Sequence, residues 1–322
     1  MRRKIYFRAD ASVQIGYGHF VRTLALAEMM KEYFDCSFFT ASPTQNQREQ
    51  VSQICKLVAL PSDDTKFSIF LNYLKGDEIV FLDNYFFTPN YQKCIKEKGC
   101  KLVCIGPNDR HYYCDVLINY SERSKEVFSV ESYTRVCLGL DWVILRKPFR
   151  LHKVPAISRN NRIVLCYGGT DQFHLLEKTV DVIHDISLSQ EIIVIASDTI
   201  GKERMSFFLS RGVKCVVNAS SDEIFNLFCS SMLLICSSST IAHEGLACGI
   251  PVLCGYYVEN QINMYKYFVE KEMVVGLSNL LSDNFQQVLS DVLKHIDIHL
   301  KTTKAYEYNN VEKQFLTLFK EL

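Results

Sequence analysis

The sequence lacks several features that would assign it to a class at once. Its apolar stretches, such as 192–196 and 232–236, have only strand length, far short of the ~20 residues that span a bilayer. It has no excess of one charge, because Lys+Arg and Asp+Glu are both 36, so no general attraction to nucleic acid or to an anionic membrane follows. The first residues run directly into a strand-like segment, so we expect no signal peptide. With 7 prolines and 14 glycines, the chain is not collagenous or of low complexity.

Metal-binding and disulfide patterns are also missing. The 13 cysteines are odd in number, and no two are spaced as C-x-x-C, whereas a zinc site or a disulfide framework would show clustering. Many of them lie inside apolar runs, where a free thiol behaves as a small hydrophobic group. No D-x-D carboxylate pair occurs that would hold a metal-chelated diphosphate. We therefore expect reduced, mostly buried thiols in a cytoplasmic protein that uses no metal and no cofactor.

Strand-like and helix-like patterns alternate along the 322 residues, a length that suggests about two domains. The predicted strands are 4–7, 36–40, 57–60, 78–82, 101–105 and 115–118 in the first half and 162–167, 191–196, 213–217, 232–236 and 251–254 in the second. Short apolar strands between helices are typical of parallel sheets covered on both faces. The polar stretch 146–161 predicts a linker, and we place the domains at 1–148 and 149–302, with a helical tail at 303–322.

The loop after the first strand carries a histidine between two structural signals. Gly16 and Gly18 permit tight turns, and an apolar pattern of helical spacing follows them. His19 therefore lies where a strand gives way to a helix, at the edge of the sheet where ligands bind in doubly wound folds. A general base is the functional interpretation, and a structural turn with an incidental histidine is the alternative.

Two loops in the second half have the composition of an anion site. Gly168 and Gly169 precede a helix that Thr170 or Asp171 can cap, so that its free N–H groups would face an anion. A Gly-Gly pair is common in ordinary connections and does not discriminate alone.

The segment after strand 232–236 gives the strongest signal. Three serines end this strand, and Thr240 opens a short helix, so that hydroxyls and unpaired N–H groups could form a cradle for a diphosphate without a metal. Glu244, one turn into the helix, could accept both hydroxyls of a ribose. A serine-rich cap on an ordinary helix is the alternative. The next such junction carries Asn260 and Gln261.

Together these loops resemble a known family, the metal-independent UDP-2,4-diacetamido-2,4,6-trideoxy-β-L-altropyranose hydrolases of pseudaminic acid biosynthesis, which are related to the MurG-like GT-B glycosyltransferases. The matching motifs are R-A-D-A-S…I-G-Y-G-H-F-x-R at 8–22, L-D-N-Y at 82–85, C-D-V-L-I-N at 114–119, G-L-D-W-V-I-L-R-K-P-F at 139–149, G-G-T-D at 168–171, S-S-S-T…H-E-G at 237–245 and E-N-Q at 259–261. The resemblance implies an α/β fold of the GT-B type, with two doubly wound, Rossmann-like domains facing an interdomain cleft.

The resemblance also implies residue roles. His19 matches the catalytic histidine of the family, Tyr85 matches a tyrosine that lines the sugar pocket, and Asn260 matches a site asparagine. Glu244 falls where MurG-like enzymes hold the ribose. The other substrate-binding residues that we assign are Gly16, Gly18, Arg22, Gly168, Gly169, Thr170, Ser238, Ser239, Thr240 and Gln261.

Two positions depart from the family pattern. Asn84 replaces a usual histidine, and the run Ile105-Gly106-Pro107-Asn108-Asp109 replaces an element with paired aspartates. Both lie in the domain assigned to the sugar, so the resemblance specifies the nucleotide more closely than the sugar.

The function implied by the resemblance is hydrolysis of that UDP-sugar to UDP and the free sugar, in nonulosonic acid biosynthesis for a surface glycan. Water would attack the anomeric carbon with inversion, His19 would be the general base, and helix N-termini at Gly169–Thr170 and Ser239–Thr240 would stabilise the departing UDP. The alternative is a metal-independent GT-B glycosyltransferase, in which His19 deprotonates an acceptor hydroxyl. A non-catalytic UDP-sugar-binding protein is a third possibility, which the presence of His19 disfavours. We expect a monomer whose partner is a UDP-sugar, with no nucleic acid and no membrane.

Overall fold

The computed structural model describes residues 2–12, 14–121, 124–151, 159–295, 306, 308 and 310–322. The chain divides into two compact units. The first unit is Met1–Ile144 with Tyr308–Leu322, and the second unit is Leu145–Glu307. No helix in the described ranges is long and apolar enough to cross a membrane.

A seven-stranded parallel sheet forms the centre of the first unit. Its elements are β1 (Lys4–Arg8), α1 (Gly18–Met30), β2 (Asp35–Ala41), α2 (Gln45–Ser52), β3 (Lys56–Leu60), α3 (Thr65–Tyr73), β4 (Ile79–Leu82), α4 (Pro89–Glu97), β5 (Lys101–Ile105), β6 (His111–Tyr112), β7 (Val116–Asn119), β8 (Ser129–Val130) and β9 (Arg135–Leu138). The strand order is β3-β2-β1-β4-β5-β7-β9, while β6 pairs with β8. The central strand β4 is buried along its whole length, as expected for a sheet covered on both faces.

The strand order reverses between β1 and β4, which pair in parallel from Ile5 with Ile79 to Arg8 with Leu82. From β1 the chain proceeds to β2 and β3 on one side, and from β4 it proceeds to β5 and β7 on the other. The connections after β1 and β4 therefore leave in opposite directions and open a crevice at the carboxyl ends of the two strands, the usual ligand position in such sheets.

The second unit repeats this arrangement around a six-stranded parallel sheet. Its elements are α5 (Lys147–Leu151), β10 (Asn160–Cys166), α6 (Leu175–Asp185), β11 (Glu191–Ala196), α7 (Gly201–Ser210), β12 (Lys214–Val217), α8 (Ser221–Ser230), β13 (Ser231–Ser237), α9 (Thr240–Ala247), β14 (Val252–Tyr256), α10 (Ile262–Glu270), β15 (Val275–Asn279) and α11 (Phe285–Lys294). The strand order is β12-β11-β10-β13-β14-β15. Here the reversal lies between β10 and β13, so the loops after these strands border the crevice.

The C-terminal helix α12 (Val311–Glu321) belongs to the first unit. The Phe315 ring packs at 5.4 Å from that of Trp142, and the Phe319 ring at 6.1 Å from that of Phe34. Both helix residues are fully buried. The predicted tail thus packs into the first core because its apolar face has helical spacing and finds partners there.

The α/β alternation predicted from the sequence is confirmed. Every predicted strand is present, while β6, β8, β9, β15 and α11 were not predicted. The predicted linker contains the short helix α5, and its residues 152–158 lie outside the described part of the chain. All 13 cysteines are free and most are buried, as their apolar neighbours predicted.

Candidate active site

His19 is held at the start of α1 by a carboxylate from the neighbouring strand. Asp83 follows β4 directly, and because β1 and β4 pair, its side chain meets the helix that follows β1. His19 Nδ1 lies 2.8 Å from Asp83 Oδ1. Asp83 is fully buried and His19 is 8% exposed. The switch point of the first sheet therefore carries a histidine–carboxylate pair.

The Asp83 carboxylate has further partners on the same helix. Arg22 donates from Nε to Oδ2 at 2.6 Å and from Nη2 to Oδ1 at 2.5 Å, and Thr23 donates to Oδ2 at 2.9 Å. Burial alone would raise the pKa of Asp83, but the charge of Arg22, followed by that of His19 and by their hydrogen bonds, holds this pKa well below its usual range. Asp83 is consequently ionised at neutral pH.

The ionised carboxylate selects the histidine tautomer. A carboxylate only accepts hydrogen bonds, so Nδ1 of His19 carries the hydrogen and donates it to Asp83. The Nη2 atom of Arg22 lies 3.0 Å from Nδ1 as well, but it already donates to Asp83, and a protonated Nδ1 accepts nothing. The lone pair of His19 is then on Nε2, for which the described residues supply no hydrogen-bond partner. A neutral imidazole in this state can take up a proton.

Two tyrosines complete this cluster. The Tyr85 ring meets His19 edge-on at 4.6 Å, and the backbone carbonyl of Tyr85 accepts a hydrogen bond from Arg110 at 2.5 Å. Tyr120, just after β7, accepts a hydrogen bond from Arg22 Nη1 at 2.6 Å. The guanidinium of Arg22, which the sequence analysis assigned to the substrate, is therefore engaged by Asp83 and Tyr120.

Asn84, one of the departures from the family pattern, ties two loops together. Its Oδ1 accepts from Asp10 N at 2.7 Å, and its Nδ2 donates to Asp10 O at 3.2 Å. The Asp10 side chain is in turn paired with Arg8 and Lys66. The Asn84 amide is thus engaged by the backbone of the loop after β1, close to the His19 and Tyr85 segments.

The predicted glycines have distinct conformational roles. Gly16 has φ +81° and closes a tight turn in which its N–H donates to Ser12 O at 2.8 Å. Gly18 is the first residue of α1. Gly168 has φ +94° in the loop after β10. Positive φ values favour glycine, so these two turns account for the residue type at both positions.

Loops of the second unit come together around Gly169. Ser197, after β11, donates its backbone N–H to Gly169 O at 3.2 Å. Tyr257, after β14, donates its hydroxyl to Tyr167 O at 3.2 Å. The loops after β11 and β14 are therefore each hydrogen-bonded to the segment that follows β10, at the carboxyl edge of the second sheet.

The predicted cap of α6 by Asp171 is present, but it occupies N–H groups that were expected to face an anion. The N–H groups of Leu175 and Leu176 at the start of α6 do not face a ligand, because Asp171 accepts hydrogen bonds from them at 2.9 and 3.1 Å. Arg204 donates to the same carboxylate at 2.5 Å and also pairs with Glu177. The start of this helix is occupied by carboxylates of the chain itself, which leaves the backbone of Gly168, Gly169 and Thr170 as the candidate anion contacts there.

The start of α9 differs in this respect. Ser239 is its N-cap residue and makes no side-chain cap. The N–H of Ala242 donates to Ser239 O at 3.0 Å, and the N–H groups of Thr240 and Ile241 are the candidate anion contacts. Ser238 is buried and donates its hydroxyl to Gly255 O at 2.9 Å, which makes it a structural residue. Ser239 and Thr240 are partly exposed. Of the three predicted hydroxyls, these two have access to a ligand.

Glu244 has a partner that the sequence analysis missed. Arg146 Nε lies 2.7 Å from Glu244 Oε1, and Nη2 lies 2.6 Å from Oε2. Glu244 is 1% exposed, and the pair is within the second unit. In the last predicted segment, Asn260 is exposed, whereas Gln261 is buried and accepts a hydrogen bond from Tyr257 N at 3.0 Å.

Two signals could have identified the missed residues. Asp83 directly follows the predicted strand 78–82, where site residues are expected, and Arg146 lies in the motif at 139–149. Their partners are distant in the sequence, so only the fold pairs them. Among the described residues, no cluster of three or more His, Cys, Asp or Glu has the geometry of a metal site.

Comparison with known proteins gives relatives of the chain and structures of similar fold. No protein-family model matches the chain. A Campylobacter jejuni protein, named UDP-2,4-diacetamido-2,4,6-trideoxy-β-L-altropyranose hydrolase, is 25% identical over 275 residues, which cover 83% of this chain and 97% of that protein. The chain is related to this hydrolase. The resemblance inferred from the motifs is thereby confirmed.

Another relative and two solved structures extend the comparison. An uncharacterised Methanocaldococcus jannaschii protein is 26% identical over 317 residues, 92% of this chain, and the chain spans 63% of its length. Acinetobacter baumannii MurG has a TM-score of 0.66 at 11% identity, covering 99% of this chain and all of MurG. Anabaena HepE, in a complex with UDP, has a TM-score of 0.61 at 11% identity, covering 99% of this chain and all of that one. The fold of this relative of the hydrolase is the two-domain α/β GT-B fold, as predicted.

Proposed function

We propose that the chain is a UDP-sugar hydrolase that uses His19 as its general base. The observation that carries this proposal is the contact of His19 Nδ1 with the buried, ionised Asp83 at 2.8 Å, which leaves Nε2 able to accept a proton. The hydrolase relative supports UDP-sugar as the substrate class, and its name supports UDP-2,4-diacetamido-2,4,6-trideoxy-β-L-altropyranose as the first compound to test.

In the proposed reaction, a water oxygen forms a bond to the anomeric carbon as the bond from that carbon to the β-phosphate oxygen breaks. The water proton passes to His19 Nε2, and the electrons of the broken bond leave with UDP. Asp83 stabilises the imidazolium that forms, as a carboxylate does in other histidine-based sites. A single displacement inverts the anomeric configuration.

The nucleotide is assigned to the second unit. The uncapped start of α9, with the hydroxyls of Ser239 and Thr240, supports binding of the diphosphate, because helix N-termini attract anions. The backbone of Gly168 and Gly169 supplies further N–H groups. Glu244 is proposed to accept the ribose hydroxyls, and Asn260 is proposed to contact the sugar.

The backbone N–H groups at the start of α9 and at Gly168 and Gly169 remove the need for a general acid. UDP carries its negative charge on phosphate oxygens, and backbone N–H groups aimed at that charge stabilise it without a proton transfer. Tyr85, whose ring touches His19, is proposed to border the sugar and to exclude bulk water from the base.

The decisive experiment incubates the chain with a set of UDP-sugars, including the compound named above, with EDTA and without an acceptor. NMR should show equal amounts of UDP and free sugar, and the first sugar formed should have the inverted anomeric configuration. In water enriched in ¹⁸O, the label should enter the sugar and not UDP. Release of UDP only after an acceptor alcohol is added would contradict hydrolysis and indicate a transferase. His19→Asn is the matched control, and it should release UDP and free sugar much more slowly than the wild type.

A further inference from the structure

Arg146 and Glu244 form a buried pair at the proposed nucleotide site. Glu244 is the fifth residue of α9, and each of its carboxylate oxygens accepts one hydrogen bond from the guanidinium, at 2.7 and 2.6 Å. The Glu244 side chain is 2% exposed and that of Arg146 is 18% exposed. This two-point geometry holds the carboxylate plane in one orientation.

The bidentate contact does not saturate the carboxylate. An ionised carboxylate offers about four lone-pair positions, and Arg146 occupies one on each oxygen. No other residue in the described part of the chain donates to this carboxylate. One position per oxygen is therefore left for a donor, which is the pattern needed by two neighbouring hydroxyl groups.

Arg146 is itself held in place. Its guanidinium lies 5.2 Å from the centre of the Phe149 ring. Phe149, on α5, packs against Phe225 and Phe228 of α8 at 5.6 and 6.1 Å between ring centres. The arginine therefore approaches Glu244 from a packed part of the second unit, and its position does not depend on a ligand.

We propose that Arg146 is the positioning residue of Glu244, holding the carboxylate in the orientation in which its two remaining lone pairs accept the 2′- and 3′-hydroxyls of the ribose. This inference rests on the proposed binding of UDP. It assigns to Arg146 an effect on ribose recognition, and no direct contact with the phosphates.

The test measures the affinity for UDP and for 2′-deoxy-UDP by calorimetry at one fixed pH. The wild-type chain should prefer UDP by about 10-fold or more, the effect of one hydrogen bond to a charged group. Arg146→Gln removes the two-point contact that orients the carboxylate, so most of this preference should be lost. Arg146→Lys retains a charge but only one contact point, so its preference for UDP should weaken less than that of Arg146→Gln.

The control is Arg162→Gln, which removes another arginine–glutamate pair of the same unit, with Glu191 at 2.5 Å and both side chains about one-third exposed. It should behave as the wild type. Equal losses for both nucleotides in Arg146→Lys, with uridine binding unchanged, would overturn the inference and indicate a phosphate contact. Wild-type affinity and preference in Arg146→Lys would also overturn it. Failure of the wild-type chain to bind UDP would instead overturn the proposed function, and this inference with it.

Discussion

Asp83 accepts a hydrogen bond from His19 at 2.8 Å and is neutralised by Arg22, three residues further along the same helix as His19. The proposed base, the carboxylate bonded to it and the arginine that neutralises this carboxylate thus come from two segments, which follow the paired strands β1 and β4. A buried carboxylate without Arg22 would tend to become protonated and could then reverse the histidine tautomer. Arg22 therefore acts on the base through Asp83.

Replacing Asp83 by asparagine should lower kcat by roughly 10²–10⁴-fold, because an amide can donate to Nδ1 and stabilise the inactive tautomer. UDP affinity should change little. Steady-state kinetics with the cleaved UDP-sugar and calorimetry with UDP measure the two effects. Asp115→Asn is the control, since Asp115 pairs with Lys96 and Lys101 in the same unit and is not in the proposed site. A kcat for Asp83→Asn within threefold of wild type would contradict the assigned role.

Replacing His19 by alanine or asparagine should also lower kcat by roughly 10²–10⁴-fold, the usual effect of removing a general base. UDP binding should be nearly unchanged, because the nucleotide is assigned to the other unit. His111→Ala is the matched control, as His111 of the first unit is bonded to Ser129 and Glu131 and takes no part in the proposed chemistry. Activity within tenfold of wild type in both His19 variants would exclude this residue as the base.

The sequence was sufficient to predict those residue positions that depend on local pattern. His19 and the segment Ser239–Thr240 each follow a strand and open a helix, so their placement needs no knowledge of which strands are neighbours. The pairing of His19 with Asp83 and that of Arg146 with Glu244 depend on the order of the strands and on long-range packing. No periodicity of a single segment contains that information.

The missed strands have another cause, which is their position at the edge of a sheet. β9 and β15 are the last strands at one edge of each sheet, and both carry exposed or half-buried residues along much of their length. A strand with one unpaired edge needs no continuous apolar run. The edge strands β3 and β12 have such a run and were predicted, whereas the Gly, Ser and Asn residues of β15 and the short β9 interrupt the pattern.

Chelation should leave activity intact. The described residues contain no cluster of His, Cys, Asp or Glu suited to a metal, and the uncapped start of α9 offers N–H groups for the diphosphate. We therefore expect the same kcat and KM before and after dialysis against EDTA. A loss of activity that Mg²⁺ or Mn²⁺ restores would show that the diphosphate is bound through a metal.

Acid should destabilise the second unit through His243. Burial lowers the pKa of His243 to about 3, whereas an exposed histidine has a pKa of about 6.5. Below pH 6.5 the unfolded chain therefore binds a proton that the folded chain does not, so stability decreases as the pH falls, by at most about 1.4 kcal/mol per pH unit for this group. Stability contributed by the low pKa of Asp83 is lost only at lower pH.

Urea unfolding between pH 7 and pH 5 tests this dependence. In His243→Leu the free energy of unfolding should vary less with pH than in the wild type. His184→Leu, at an exposed position of α6, should keep the wild-type dependence. Equal pH dependence in His243→Leu and the wild type would show that His243 does not carry the effect.

Removing the hydroxyl of Tyr85 in the first unit should affect turnover, and removing that of Tyr257 in the second unit should affect UDP binding. Tyr85→Phe keeps the ring that touches His19 and should leave UDP affinity unchanged while altering kcat or the choice of sugar. Tyr257→Phe removes the hydrogen bond to Tyr167 O that joins two loops of the second unit. It should weaken UDP binding by about 3- to 10-fold, the effect of one ordinary hydrogen bond, while kcat at saturating substrate stays within a few-fold of wild type. Because the two variants make the same chemical change, a general loss of stability would affect both in similar ways. If Tyr85→Phe weakened UDP binding and Tyr257→Phe did not, the assignment of the nucleotide to the second unit would have to be reversed.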